Sequence, residues 1–400
     1  MPAPFDTLRP CPVCGSSGER VRLHRQRFYE GVLGDGYDVV VCQKCGAGFA
    51  DGIPIQEELD HYYSERSKYS YDGAGGAESP YDLGRFEAIV EQVAPYLHSA
   101  DARILDVGCA TGGLLSVFKR HGFKNVLGVD PSPACAAAGL RVHNVRIRSA
   151  TLEQLAAWTE RFDLVLLVGV LEHLRDVRPA IETVATRLSP GGFFYAAVPD
   201  VEFLAEARNA PFQQFSMEHV NFFSVQSLKR QLRGSGFTCR QTWQTMIEWR
   251  EGVTEPTLGG IFEKSTEGNG AFDSEGAGVD TITTMALSRY VAVSLAADAG
   301  IFSRIHALAE SREPILVWGA GALTRRLLTS TPLADCNILA FVDSNTHFHE
   351  LGLAGRPVLR PSAARLHAGR ILICSVAFEC EIVRKIRGEL GLKNDLITLA

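Results

Sequence analysis

Twice in this chain a short apolar run ends in a glycine-rich turn and is followed by an amphipathic segment. The first motif, ILDVGCATGG, occupies residues 104–113, and the second, VWGAGALTRRLL, occupies residues 317–328. Such a run is typical of a buried strand, and the segment after it is typical of a helix packed on the sheet. Around each motif, strand-like and helix-like patterns alternate, which predicts an α/β fold with parallel sheets covered by helices on both faces.

The same patterns divide the chain into four predicted parts, since 400 residues are too many for one hydrophobic core. Residues 1–62 form a cysteine-rich module, and residues 63–250 form an α/β core around the first glycine motif, with a lid segment at its N-terminal end. Residues 251–311 are predicted to be a linker and helices, because the first half is rich in glycine and acidic residues without a clear period. Residues 312–400 are predicted to be a second, smaller Rossmann-like domain.

Two C-x-x-C pairs, CPVC at 11–14 and CQKC at 42–45, lie in the N-terminal module. Each pair can present two thiolates from one tight turn, so that two pairs complete a tetrahedral shell around one ion. We predict zinc rather than iron, in a structural site, because four thiolates leave no open position for water or substrate. The predicted ligands are Cys11, Cys14, Cys42 and Cys45. Most of the six other cysteines are predicted to be core residues.

The charge balance disfavours two classes of partner. A net charge of −6 gives no general attraction to nucleic acid or to anionic membranes. The N-terminal residues lack the pattern of a signal peptide, and no uninterrupted apolar run approaches the ~20 residues that span a bilayer. We therefore expect a cytoplasmic protein that binds a small molecule and neither nucleic acid nor membrane. The sequence leaves the oligomeric state open.

The first glycine motif has the features of a nucleotide-type ligand site. Gly108 and Gly112 would let a ligand approach the backbone, and Asp130 ends the next strand, where an acidic residue can bind ribose hydroxyls. Asp106 precedes the turn, and its carboxylate favours a cationic ligand over one that carries phosphates. Ala110 occupies a position where a dinucleotide site usually has glycine.

These residues resemble the first motif of the class I S-adenosylmethionine methyltransferases, which is close to D-x-G-x-G-x-G. The resemblance extends from about residue 85 to 240 and departs from the motif only mildly, at Ala110. It implies S-adenosylmethionine as the cofactor. The residues implied to bind it are Asp106, Gly108, Gly112, Asp130 and Pro131.

The order of the parts is similar to that of the nucleotide-sugar C-methyltransferase family, over nearly the full chain. That resemblance implies methylation of a carbon next to a keto group on a deoxysugar linked to a nucleoside diphosphate. It also implies that the C-terminal domain helps to form the sugar-nucleotide cleft. The second glycine motif, with Gly319, Gly321 and Asp343, leaves NAD binding as an alternative, although arginines stand where a third glycine would help the helix to pack.

Carbon methylation requires a base that removes a proton next to a carbonyl, and histidine fits this role with little tuning of its pKa. Two Glu-His pairs are present, Glu172-His173 after one predicted strand and Glu218-His219 within SMEHVNFFS after the next. The resemblance implies that the second pair supplies the base. We therefore predict His219 as the base, Glu218 as its orienting or sugar-binding partner, and His173 as a residue at the edge of the reacting sugar.

A tyrosine-rich stretch, YYSERSKYSY at 62–71, is predicted to act as a lid. Tyr69 or its neighbours Tyr62, Tyr63 and Tyr71 would donate hydrogen bonds to the enolate or to sugar hydroxyls, and Lys68 would meet a diphosphate.

Two other functions stay open on the sequence. The pattern H-x-x-F-F-S before a helix is also found in O- and N-methyltransferases, in which Ser224 would cap the helix and His219 would deprotonate a hydroxyl or amine. A non-catalytic zinc-containing scaffold with a decayed methyltransferase core is the third hypothesis. The presence of both Asp106 and Asp130 argues against that last one.

Overall fold

Three sheets organise the chain in the computed structural model, which describes residues 8–31, 33–65, 78–265 and 278–399. One sheet has four strands, the central one has seven, and the C-terminal one has five. Helices lie between the strands of the two larger sheets, so the predicted α/β class is confirmed.

The N-terminal module is an antiparallel sheet followed by one helix. Its second and third strands are almost wholly buried, because their valine, phenylalanine and alanine side chains pack on both faces. The fourth strand of this sheet is not local, since residues 221–222 pair antiparallel with the third strand. The elements are β1 (Arg20–Arg27), β2 (Gly36–Cys42), β3 (Gly48–Asp51) and α1 (Gln56–Glu65).

The central part is the doubly wound core that the sequence predicts. Its inner strands are continuous apolar runs, as expected for parallel strands covered by helices on both faces. The elements are α2 (Pro80–Val93), β4 (Arg103–Val107), α3 (Gly113–Arg120), β5 (Asn125–Asp130), α4 (Pro133–Ala138), β6 (Ile147–Ser149), α5 (Leu152–Leu155), β7 (Phe162–Val168), α6 (Val177–Arg187), β8 (Leu188–Pro199), β9 (Asn221–Phe222), α7 (Val225–Arg233), β10 (Phe237–Arg250) and β11 (Val253–Lys264).

Strand order in the central sheet is β10-β11-β8-β7-β4-β5-β6. The strands β4 to β8 run parallel, and β11 runs antiparallel to β8 and β10. The order along the chain reverses between β4 and β7, and in open α/β sheets ligands bind in the crevice outside the carboxyl ends of the strands at such a point.

The sequence prediction of a loop after residue 251 is wrong for β11. Glycines at 259 and 260 suggested a break in the strand. Both lie within it, and side chains that pack against them occupy the space that a Cβ atom would fill. A Cβ at Gly259 would lie 2.6 Å from the hydroxyl oxygen of Tyr195, and one at Gly260 would lie 2.7 Å from the ring of Phe262. β11 therefore belongs to the central sheet, and the linker begins only after it.

A 31-residue helix, α8 (Thr281–Ser311), lies between the central part and the C-terminal domain. Asp280 caps it by accepting a hydrogen bond from the backbone of Thr283. One face contacts the N-terminal module through Leu287 and Tyr290, and the other end packs in the C-terminal core. Although polar residues interrupt its apolar sequence, α8 is long and apolar enough to cross a membrane. The core helix of a soluble protein meets the same criterion.

The C-terminal domain is a parallel five-stranded sheet in the order β14-β13-β12-β15-β16, which confirms the predicted Rossmann-like pattern. Its elements are β12 (Ile315–Trp318), α9 (Ala322–Ser330), β13 (Ile338–Val342), α10 (His347–Leu351), β14 (Val358–Leu359), β15 (Arg370–Ile373), α11 (Glu379–Arg384) and β16 (Leu396–Ile397).

Two arginines stand in α9 where the sequence lacks a third glycine, and both are buried. Arg325 donates to the backbone oxygens of Tyr29 and Glu30 in the N-terminal module. Arg326 forms a two-bond ion pair with Asp298 of α8. These arginines therefore hold the C-terminal domain against the rest of the molecule.

Candidate active site

A cavity of about 670 Å³ opens beside the carboxyl ends of β4, β5 and β7, at the point where the strand order reverses. Its walls include the glycine turn after β4 and the end of β5 on one side, and both Glu-His segments on the other. All of its lining residues fall between 56 and 219. The expected contribution of the C-terminal domain is therefore not seen in this cavity.

The glycine turn has a backbone that only small residues adopt easily. Gly108 has φ +75° and Gly112 has φ +86°, both in the left-handed region. A Cβ at Gly108 would lie 2.5 Å from Cγ2 of Val170 across the cavity wall. Ala110 also lies in the left-handed region, with φ +49°. The residue therefore differs from the glycine of the motif, but its backbone keeps a glycine-like conformation.

Asp130 and Pro131 line the cavity next to Gly108. The Asp130 carboxylate accepts backbone hydrogen bonds from Ala110 and Ser132, each at 2.9 Å, and so joins the ends of β4 and β5. Each carboxylate oxygen can accept a further bond, which leaves capacity for two ligand hydroxyls.

Asp106 and Gly112 are not among the cavity-lining residues. Asp106 is buried beneath the turn, and its Oδ1 atom has no hydrogen-bond partner among the described residues. Burial, together with the negative charge of Asp130, raises the pKa of Asp106 to about 8. Arg85 of α2, which the sequence analysis missed, lines the cavity and opposes that shift. Its only signal in the sequence was a position on the amphipathic helix before the motif.

The two Glu-His pairs follow different strands in the sequence but meet in one place in the fold. The rings of His173 and His219 lie 4.9 Å apart in an edge-to-face contact. The two segments are joined by a backbone hydrogen bond of 2.7 Å from Val220 to the carbonyl oxygen of Glu172.

Neighbouring oxygens indicate which tautomer each of the two histidine rings adopts. Nδ1 of His173 lies 3.0 Å from the backbone oxygen of Glu218, and Nδ1 of His219 lies 3.0 Å from Oε1 of Gln214. These oxygens only accept, so the proton is assigned to Nδ1 and the lone pair to Nε2 in both neutral rings. The Gln214 amide is oriented in turn, because its nitrogen donates to the Glu255 carboxylate.

Two tyrosines of α1 contact the Glu-His segments, and one of them, Tyr63, also lines the cavity. Tyr62 donates a 2.6 Å hydrogen bond to Oε1 of Glu218, and the Tyr63 hydroxyl lies 3.0 Å from Nδ1 of His173. Burial raises the pKa of both phenols, which keeps them protonated as donors. Tyr69 lies outside the described residues, as do Tyr71 and Lys68.

A fully buried arginine holds the Glu-His segments in place. Arg9 donates from its guanidinium to the backbone oxygens of Ala50, Arg175 and Val220 and to the side chain of Asn221. Asn221 donates two further bonds, of 2.7 Å each, to the carbonyl oxygens of Leu171 and Leu174. We call this arrangement, centred on Arg9 and Asn221, the clasp. It connects β3, the turn at 171–174 and the strand after His219.

The helix after the second pair begins as the H-x-x-F-F-S pattern predicts. Ser224 caps α7 by accepting from the backbone of Ser227, and its hydroxyl also donates to Asp280. Phe222 and Phe223 are buried core residues.

The four N-terminal cysteines lie together. The Sγ atoms of Cys11 and Cys45 are 3.6 Å apart, and those of Cys14 and Cys42 are 3.7 Å apart. A tetrahedral ion with bonds of about 2.3 Å to sulfur requires sulfur–sulfur distances of ~3.8 Å. The four thiols are therefore already spaced to hold such an ion.

Of the other six cysteines, Cys109, Cys135, Cys336 and Cys374 are buried as predicted, Cys239 is half-buried, and Cys380 is exposed.

Asp343 of the C-terminal domain repeats the arrangement of Asp130. Its carboxylate accepts backbone bonds of 2.8 Å each from Ala320 in the glycine turn and from Asn345.

Comparison with known proteins places a methyltransferase domain, so described by its family model, at residues 81–242. The chain is 39% identical over 103 residues to a ubiquinone biosynthesis O-methyltransferase of Nitrobacter winogradskyi, and 41% identical over 100 residues to one of Rhizobium rhizogenes. Each match covers 24% of this chain and 39% or 40% of the relative, so the chain spans about two fifths of the length of these curated relatives.

Solved structures give the same kind of match. An S-adenosylmethionine dependent methyltransferase from Mesorhizobium loti has 20% identity and a TM-score of 0.36, covering 44% of this chain and 96% of its own. Magnesium protoporphyrin IX methyltransferase from Synechocystis has 12% identity and a TM-score of 0.40, covering 52% and 99%. The family model therefore describes as a methyltransferase domain the part of the chain that contains most of the doubly wound sheet.

Proposed function

We propose that this chain, which contains a class I methyltransferase domain, is an S-adenosylmethionine-dependent C-methyltransferase acting on a keto deoxysugar linked to a nucleoside diphosphate. The observation that carries the proposal is that one cavity is lined both by Gly108, Asp130 and Pro131 and by His173, Glu218 and His219. A cofactor and a second small molecule would thus meet next to a histidine.

The cofactor side of the cavity fits S-adenosylmethionine. Asp130 would hold the ribose hydroxyls, and Gly108 and Pro131 would let the ligand lie against the backbone. Arg85 lines the cavity and offers a positive charge to the carboxylate group of the cofactor. Asp106, beneath the turn, would offer a negative charge to the ammonium group once it is ionised. When bound, the cofactor supplies a methyl group on a positively charged sulfur, which is strongly electrophilic.

His219 is the proposed base. Its Nε2 lone pair would remove a proton from the carbon next to the keto group and produce an enolate. The chain from Glu255 through Gln214 to Nδ1 of His219 holds the ring in this tautomer and would stabilise the imidazolium after proton transfer.

Glu218 and the tyrosines are proposed to bind the sugar. The hydrogen bond from Tyr62 fixes the Glu218 carboxylate, which would accept from a sugar hydroxyl, and protonated Tyr63 would donate to a sugar or enolate oxygen. His173 holds the backbone of Glu218 and borders the reacting sugar. We retain Tyr69 as a further donor from the segment outside the described residues.

The four-cysteine site is proposed to hold a structural Zn²⁺ ion. Its spacing fits zinc, and its protein ligands fill the tetrahedral shell. Reduced thiols suit a cytoplasmic location, where we place the reaction. The ion would stabilise the sheet to which β9 belongs, and β9 follows His219 directly.

Proton exchange tests the base. We would incubate the protein with S-adenosylhomocysteine and a keto-deoxysugar nucleotide in heavy water and follow deuterium at the carbons next to the keto group. We expect exchange that His219→Ala abolishes and that His121→Ala, a change to a surface histidine paired with Glu87, leaves intact. Exchange that persists in His219→Ala would remove His219 as the base.

A second candidate is O-methylation, which is favoured by the names of the sequence relatives over about a quarter of this chain. The same Nε2 atom of His219 could deprotonate a hydroxyl group. In that case no deuterium enters next to the keto group, and the methyl group is found on oxygen in the product.

A further inference from the structure

A carboxylate and two imidazoles converge in the cavity wall where the two Glu-His segments meet. We propose that Glu172, His173 and His219 form a second metal site, which takes a divalent transition ion such as Zn²⁺ when no substrate is bound. Resting on the proposed function, we also infer that this ion and the base role of His219 exclude each other.

The geometry is close to that of a metal site. One ligand atom from each of the three residues lies within 4.8 Å of the other two, and Nε2 of His173 lies 3.8 Å from Oε1 of Glu172. Bonds of about 2.1 Å in a tetrahedral shell require ligand atoms ~3.4 Å apart. The three residues must therefore draw together to bind an ion, whereas two sulfur pairs of the four-cysteine site are already at the required distance. The second site should accordingly bind more weakly than the first.

The histidines have the outer contacts that metal ligands require. Nδ1–H of His173 faces the backbone oxygen of Glu218, and Nδ1–H of His219 faces the amide oxygen of Gln214. A metal-binding histidine commonly donates its other N–H to such an oxygen, which fixes the tautomer and the ring orientation. In this tautomer Nε2 is the nitrogen of each ring that would bind an ion.

Glu172 supplies the independent observation. It is only 3% exposed, and its Oε2 atom has no hydrogen-bond partner among the described residues. A buried carboxylate calls for a compensating positive charge or donor. Two histidines and one carboxylate are also a common ligand set of open zinc sites, and here the remaining position would face the cavity, which His173 and His219 line.

Binding of an ion and removal of the substrate proton would both use the Nε2 lone pair of His219. When Nε2 of His219 binds an ion, it cannot accept a proton from the substrate. Divalent ions should therefore inhibit the enzyme in a way that a weak chelator reverses. Substrate and ion should compete.

Cobalt tests the site without turnover. Protein with its four-cysteine site filled by zinc would be titrated with Co²⁺ and followed by visible absorption. We expect one further equivalent that shows d–d bands without thiolate charge-transfer bands. Glu172→Gln and His173→Asn should each weaken it at least tenfold while the protein retains one zinc, and His121→Asn, which alters a surface His-Glu pair, should leave it unchanged.

Absence of the second equivalent, or an equivalent that responds only to His121→Asn, would overturn the site. If Co²⁺ binds as expected but Zn²⁺ leaves the proton exchange of the wild type unaffected, the mutual exclusion is overturned. Because the cobalt spectrum does not depend on catalysis, failure of the proposed reaction and failure of this site are distinguishable.

Discussion

Gly108 carries two constraints at a single residue, a left-handed backbone and a side-chain position filled by Val170. We expect Gly108→Ala to weaken binding of S-adenosylhomocysteine at least tenfold, because the new methyl group moves either the turn or the cavity wall. Isothermal titration measures the loss.

Two variants identify the cause of that loss. Gly122 also has positive φ, +92°, but a Cβ there would have no heavy atom within 4 Å, so Gly122→Ala should leave cofactor affinity unchanged. Adding Val170→Ala to Gly108→Ala should restore part of the affinity by removing the clash. Wild-type affinity in the single Gly108→Ala variant would show that the turn does not contact the cofactor.

Asp106 predicts a pH dependence of cofactor binding. Since its pKa is raised to about 8, the unliganded protein holds this carboxyl mostly protonated at pH 7. A cationic ammonium prefers the ionised form, so affinity for S-adenosylhomocysteine should rise by up to about tenfold per pH unit between pH 6 and 8 and then level off. Asp106→Asn should lose this component, and titrations at several pH values measure it. Parallel pH profiles in both proteins would contradict the assignment.

The same carboxyl affects stability in the opposite direction. Its pKa is higher in the folded than in the unfolded chain, so the folded state binds the proton more tightly. The contribution of Asp106 to the free energy of unfolding is therefore present at acid pH and is lost as the pH rises from about 4 to 8.

Residue spacing alone predicted the glycine turn and Asp130, because the turn and the strand after it are local in sequence. The spacing did not predict that Asp106 lies beneath the cavity wall, or that Arg85 lines the cavity. Those positions depend on how α2 packs against β4, and the pattern of a single helix does not specify this.

At the scale of elements, the clasp decides where the Glu-His segments lie. Asn221→Ala removes two donated bonds and one accepted from Arg9, two of the three fully buried. We expect a loss of about 2–4 kcal/mol in the free energy of unfolding, since buried groups are left without partners. Turnover should fall more than cofactor affinity does. Urea unfolding and initial rates measure the two effects.

Asn125→Ala is the matched control for that change. Its side chain donates one exposed bond to the backbone of Asp101, so less than about 1 kcal/mol should be lost. Equal effects of the two substitutions would mean that the clasp does not support the site.

Elements that depend on distant partners were the ones the sequence missed. β11 was predicted as a loop because its glycines weaken a local strand pattern, yet β8 and β10 pair with it on both sides. β9 has only two residues and is a strand because β3 pairs with it. For the same reason, sequence position separated the two Glu-His pairs that the fold brings into contact.

At the scale of the whole molecule, we propose that the four-cysteine module supports the reaction from a distance. In a Cys42→Ser variant without bound zinc, we expect loss of turnover, because the sheet that contains β9 loosens next to His219. Cofactor affinity should fall much less, since Gly108 and Asp130 belong to the central sheet.

Cys380→Ser, which alters an exposed thiol, is the control and should match the wild type in both measurements. Full turnover in the zinc-free variant would contradict a role for the module in the reaction. An equal loss of turnover and cofactor affinity would indicate general unfolding instead.

The C-terminal domain shows what the sequence pattern can predict about the whole molecule. Its glycine turn and alternating pattern correctly predicted a parallel sheet. Its place in the molecule rests on Arg325 and Arg326, which were noted only as departures from a nucleotide motif. The partners of Arg325 lie in the turn between β1 and β2, and the partner of Arg326 lies in α8. Because these partners are distant from the arginines in sequence, the role of the two arginines is visible only in the fold.

The position of the transferred methyl group tests the central claim most directly. The reaction would be run with S-adenosylmethionine labelled with ¹³C in the methyl group and a keto-deoxysugar nucleotide labelled with ¹³C in the ring, and the product examined by NMR. We expect one-bond coupling between the new methyl carbon and the ring carbon next to the keto group, and no product with His219→Ala. A methyl carbon with the shift of a methoxy group and no such coupling would contradict carbon methylation.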